Sequence, residues 1–132
     1  QCVHHNYNPT ATVKMDNQVQ QNYNRKNWSS FVLWNCSHKS NLNLTVDDAN
    51  LKPGSWLHGF GWLQDDEIGS ISEEWNWLDG WSPEAMNAKN VHFTTGGPWF
   101  EPEWEPKRQS DMAYAAEWKE LKKKTFILGE DN

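Results

Sequence analysis

At 132 residues, with 36% hydrophobic positions, the chain has the size of one small domain with one core. Its 18 acidic residues outnumber 12 Lys and Arg, for a formal net charge of −6, and the basic residues are scattered apart from the run Lys122-Lys123-Lys124, which argues against duplex nucleic acid as a partner. No stretch approaches the roughly 20 apolar residues that a bilayer crossing needs, and no basic region followed by an apolar run opens the sequence, so the expectation is a soluble, unexported, cytoplasmic protein with no membrane span.

The sequence starts at Gln1 without a Met and moves straight into Cys2-Val3-His4-His5, as a domain entered midway would; residues 1–132 are read as the C-terminal portion of a single domain. Cys2 and Cys36, without a secretion signal, are expected to be reduced and buried. Three Asn-X-Ser/Thr triplets, at Asn27, Asn35 and Asn43, read as chance in an Asn-rich chain, because two of them overlap an expected buried strand. From Asn6 to Asn27 the residues are polar with few apolar anchors, which predicts a long loop, and loops of that length are usually functional or disordered.

Trp28-Ser-Ser-Phe-Val-Leu-Trp-Asn-Cys36 is apolar, aromatic and β-branched, the pattern of a buried strand in a central sheet position. Thr45 followed by Val46-Asp47-Asp48 offers an N-cap hydroxyl with carboxylates in the first turn, predicting a short helix that ends near Pro53-Gly54. Trp56, Leu57, Phe60 and Leu63 recur at helical spacing and predict a second short helix delivering the acidic cluster Asp65-Asp66-Glu67. Glu74 to Leu78 and Asn90 to Phe93 read as brief strands, the latter running into the loop Thr94-Thr95-Gly96-Gly97-Pro98-Trp99. A last helix is expected from a Ser110 cap, with Tyr114, Trp118 and Leu121 at i, i+4 and i+7. Strands mixed with short helices, without an internal repeat, place the chain in the α/β class.

Chemistry concentrates in two places. His92 stands at a strand end just before a glycine pair whose backbone N–H groups can approach an anion, an arrangement suited to metal plus phosphate, although a histidine after a strand is more commonly a hydrogen-bonded structural residue. Asp65, Asp66 and Glu67 are adjacent carboxylates that could bind a hard cation, position a hydroxyl or stabilise charge on a sugar ring, the bland alternative being a solvated helix start. His4, His5, His38 and His58 stand at no zinc spacing, and there is no phosphate-binding loop, nucleophile elbow or dinucleotide fingerprint. Ten tryptophans offer flat faces for sugar rings but are equally ordinary core material.

Four blocks in order, Lys26 to Cys36, Trp62 to Gly69, Glu74 to Leu78 and His92 to Trp99, resemble the glycogenin-like, family-eight glycosyltransferases and, more closely, small bacterial and phage relatives of them. The resemblance implies the C-terminal part of a GT-A fold, a mixed sheet with flanking helices, binding a nucleotide-sugar donor (UDP-linked in the first instance) with a divalent ion such as manganese. It implies His92 as a metal ligand, Asp66 with its neighbour Asp65 as catalytic carboxylates facing sugar and acceptor, and Ser29, Ser30, Gly96, Gly97 and Trp99 as the donor-binding set. The family's Asp-X-Asp metal motif is absent from these residues, and Gly97 stands where the family often has a lysine. The function so implied is transfer of a sugar from a nucleotide-sugar to a carbohydrate or glycoconjugate acceptor, with retention of configuration. The rival is a non-catalytic carbohydrate-binding module stacking sugars on Trp62, Trp77 and Trp99.

Overall fold

The computed structural model describes residues 1–9, 13–14, 17–84, 87–100 and 112–127. Its regular elements are few and short: helices α1 (Val46–Leu51), α2 (Gly54–His58) and α3 (Ala115–Ile127), and strands β1 (Trp77–Leu78) and β2 (Val91–His92). β1 and β2 run parallel, with Trp77 opposite Val91 and Leu78 opposite His92. The α/β class therefore stands, as a small mixed fold with a two-stranded parallel sheet.

Parallel pairing of so short a ladder is secured by burial. Trp77 and Leu78 are 1% and 0% exposed, and the Trp77 indole N–H is satisfied by the Pro83 carbonyl at 2.9 Å. Tyr114 meets the Trp77 ring edge-on at 5.2 Å, which brings the start of α3 against the sheet. A second core gathers Cys2, Phe60 and Ile68, with Trp28, Val32, Trp62 and Leu63 packed against it. Cys2 forms isolated bridges to Val32 on one side and Ser70 on the other, so the first residues act as a short central strand. Cys2 is buried and free, as expected; Cys36 is free but exposed.

The Thr45 expectation is met in detail: its hydroxyl accepts from the Asp48 N–H, the Asp48 carboxylate accepts from the Thr45 N–H, and the reciprocal capping box starts α1. Three other expectations need correction. Of the strand expected over residues 74–78, only Trp77–Leu78 forms β1, because Glu73–Asn76 make a 3₁₀ turn. Trp28 to Cys36 is no buried strand. Trp28–Ser30 form a 3₁₀ turn, Asn27 is left-handed at φ 67°, and the Ser30 hydroxyl bonds back to the Asn27 carbonyl at 2.6 Å, so local side-chain bonds claim the backbone before a ladder can. Only Val32 bridges; Leu33 and Trp34 are exposed. The second helix stops at His58, because Gly59 and a left-handed Phe60 (φ 53°) turn the chain, and Asp65–Glu67 form a separate 3₁₀ turn. Ser110, the expected cap of the last helix, lies outside the described residues; Tyr114 is left-handed (φ 61°) and precedes α3 instead of belonging to it.

The turn after α2 leaves carbonyls that no helix collects, and one side chain does so. The Arg25 guanidinium donates to the carbonyls of Gly59 (2.8 Å), Phe60 (3.1 Å) and Leu63 (3.2 Å), and to Asp65 Oδ1 at 2.5 Å. Lysine lacks the planar fork that reaches four acceptors at once. Arg25→Lys is expected to lower unfolding stability by about 1 to 2 kcal/mol, since part-buried carbonyls lose a donor, and Asp65→Asn by less; urea unfolding followed by Trp fluorescence measures both.

Candidate functional site

In open parallel sheets ligands bind beyond the carboxyl ends of the strands. Here those ends are Asp79, whose N–H bonds the His92 carbonyl at 3.1 Å, and the segment from His92 to Trp99. Thr94 donates its hydroxyl to the Asp79 carbonyl at 3.4 Å, tying the two strand exits together. His92 is half-buried, and its Nδ1 has no hydrogen-bond partner although it is shielded from solvent. Burial pushes its pKa down to about 4, with the positive charge of Lys14 and then of His5 adding to the effect. The ring is thus neutral at physiological pH, with one shielded nitrogen uncommitted, the form in which imidazole acts as a ligand or base.

The loop after β2 is shaped by its glycines. Gly96 takes φ 127°, outside the range that other side chains adopt readily, and a Cβ on Gly97 would lie 2.1 Å from the Trp99 ring. Trp99 therefore lies over Gly97, within ring-contact distance of Phe93 (5.7 Å) and Trp118 of α3 (5.7 Å), and remains 48% exposed. Its indole ties the loop to α3 and offers one half-open face.

The other expected site residues are distributed differently. Ser30 accepts from the buried Asn76 amide at 2.7 Å, next to β1, so its hydroxyl is committed inside the protein. Ser29 pairs with His58 Nδ1 at 2.9 Å. Asp65 is the counter-ion of Arg25, and Glu67 accepts from Gln64 N–H (2.8 Å) and from the Ser40 hydroxyl, bonds that hold its carboxyl below the usual range. Of the three adjacent carboxylates, exposed Asp66 alone makes no bond to the described residues. Among the described residues no three of His, Cys, Asp and Glu gather as a metal site, so His92 fits a metal as a single donor.

Three residues that the sequence reading passed over matter to this region. Asn76, fully buried, donates to the Asn27 carbonyl (3.0 Å) and to Ser30, joining the polar segment to β1. Arg25 braces the acidic turn. His5 is buried, with Nε2 unpartnered, Glu73 4.0 Å from Nδ1 and a bond to the Asn76 backbone; desolvation lowers its pKa. Only a side chain's burial distinguishes these from other polar residues, and no sequence pattern carries that.

The chain is 49% identical over 105 residues to Protein CDI of Arabidopsis thaliana; the match covers 76% of the chain and 40% of that protein. The chain thus spans less than half the length of the curated relative it matches. No family model matches the chain, and no solved structure does. The expected membership of the glycogenin-like, family-eight glycosyltransferases is overturned by these findings, since the relative found carries no such name and the family's own pattern is not matched. The physical reason lies in the blocks: aromatic and glycine-rich runs of a few residues arise readily in a chain with ten tryptophans, and the first block opens as a turn rather than the strand its composition predicts. Among the described residues, no helix is long and apolar enough to cross a membrane.

Because the folded-state pKa of His92 lies below the ordinary 6.5, the unfolded chain takes up the proton first as pH falls. Its contribution to stability is complete above about 6.5, declines below that, and is gone near 4; the full swing is about 3 kcal/mol. In chelator-treated protein, His92→Gln is expected to flatten the fall of the urea midpoint between neutral pH and about pH 4.5.

Proposed function

We propose that this chain carries part of a sugar-transfer site that uses a nucleotide-sugar donor, UDP-linked in the first instance, together with a divalent ion such as manganese. The observation that carries the reading is His92: a neutral imidazole with a shielded, unpartnered Nδ1, at the carboxyl end of a parallel strand and followed by a glycine pair. A divalent ion at such a site would neutralise charge developing on the leaving diphosphate. With this reading goes the finer fold assignment, a GT-A sheet of which β1 and β2 are neighbouring strands.

The chain's own residues would divide the work. His92 supplies one metal donor, and among the described residues no group of three His, Cys, Asp or Glu completes a site around it. Gly96 lets backbone amides approach the diphosphate closely, and the open face of Trp99 borders the same loop. Asp66, uncommitted and exposed, is the carboxylate free to orient donor sugar or acceptor; Asp65 acts on it only through the turn that Arg25 braces. Catalysis of this kind is positioning and charge stabilisation.

The rival module draws less support. Trp77 is internal and Trp62 sits in a ring cluster with Trp34, Trp56 and Phe60, leaving Trp99 as the half-open ring of the three. Calorimetric titration of UDP with manganese into the full-length protein, against the His92→Ala variant, tests the proposal. Metal-dependent binding weakened by more than about tenfold in the variant is expected; binding without metal, or unaffected by the substitution, overturns it.

A further inference from the structure

A cleft of about 630 Å³ opens between residues 4–8 and 22–28, lined by His5 and Arg25 but by none of the residues given a part in transfer above. Its size is that of a small-molecule site, and it is walled by the polar segment whose composition alone suggested a functional loop. One wall is rigid: the His4 ring stacks on Trp28 at 4.0 Å with 1° between planes, and the Trp28 indole N–H is fixed by the His5 carbonyl at 2.9 Å. Tyr7, on the same side, is held edge-on by Trp81 at 5.0 Å.

The two cationic side chains at this cleft are engaged within the protein. Arg25 is saturated by backbone carbonyls and Asp65, and Lys26 is buried, donating to the Gln21 carbonyl and lying 5.0 Å over the Tyr23 ring. Among the described residues no carboxylate lines the cleft. What remains are amides. Asn22 donates to Asn8 Oδ1 at 3.0 Å, which joins the two side-chain amides and leaves the Asn8 N–H groups as donors and the Asn22 side-chain oxygen as an acceptor at the cleft. A pair of that kind matches two adjacent hydroxyls, each of which both donates and accepts. His5, which also lines the cleft, is buried and keeps Nε2 without a partner, a shielded nitrogen that a hydroxyl would satisfy.

The geometry points to a neutral saccharide subsite in this cleft, with Asn8 and Asn22 reading adjacent hydroxyls, the His4–Trp28 stack as its wall and His5 Nε2 accepting from a deeper hydroxyl. Its assignment as the acceptor side of the transfer rests on the function proposed above; saccharide binding itself does not.

Saturation-transfer NMR on the full-length protein, with maltose, cellobiose, lactose and sucrose as probes, tests the subsite. At least one disaccharide is expected to bind, and the double variant Asn8→Ala, Asn22→Ala to weaken that binding about tenfold. Both amides are exposed, and far-UV circular dichroism checks that the variant keeps the fold. Binding of none of the four, binding untouched by the double variant, or displacement of the disaccharide by UDP without metal overturns the subsite. Loss of metal-dependent UDP binding with saccharide binding intact would sink the transfer reading alone.

Discussion

The Arg25 guanidinium, spread over three backbone carbonyls and the Asp65 carboxylate, is the interaction on which the described structure depends. Short helices and two-residue strands leave many backbone groups without ladder or helix partners, and buried ones are costly unless something else bonds them. Arg25 does this for the turn after α2. That turn carries Phe60 and Leu63 into the core with Cys2 and Ile68 and sets the acidic turn in place. A residue that reads as one scattered base among many becomes the brace between the polar segment and the core.

Asn76 repeats the strategy nearer the sheet. Fully buried, its amide bonds the Asn27 carbonyl and the Ser30 hydroxyl, so the polar segment is fastened to the base of β1. The consequence for function is one of placement. The cleft beside His4 and His5 and the strand exit at His92 belong to walls joined by side-chain bonds, and each wall keeps one buried imidazole nitrogen without a partner. An uncommitted buried nitrogen carries a desolvation cost. Among the described residues five side-chain atoms are in this state, His5 Nε2 and His92 Nδ1 together with amide or indole nitrogens of Gln20, Asn27 and Trp62, and the two imidazoles are the ones on which the proposed sites draw.

The acidic cluster shows why adjacent like residues seldom act alike. Asp65, Asp66 and Glu67 look equivalent in sequence, yet a 3₁₀ turn points them apart: one pairs with Arg25, one is held by Ser40 and Gln64, and one is left to solvent. The same separation of neighbours divides Ser29, on His58, from Ser30, on Asn76.

The sequence by itself determined what is local. The Thr45 capping box, the strand ends Trp77–Leu78 and Val91–His92 within the longer stretches expected, and the polar character of residues 6–27 were legible there, because capping, β-branching and turn chemistry act over a few residues. Tertiary structure alone decided which polar groups are buried and which are committed. It turned Trp28 to Cys36 from an expected strand into a turn and a single bridge, ended the second helix at His58, made Asp65 structural and left His92 with a free nitrogen. The commitments of Asp65 and Ser30 hang on partners 40 and 46 positions away, Arg25 and Asn76; no local pattern encodes a pairing fixed by how distant segments pack.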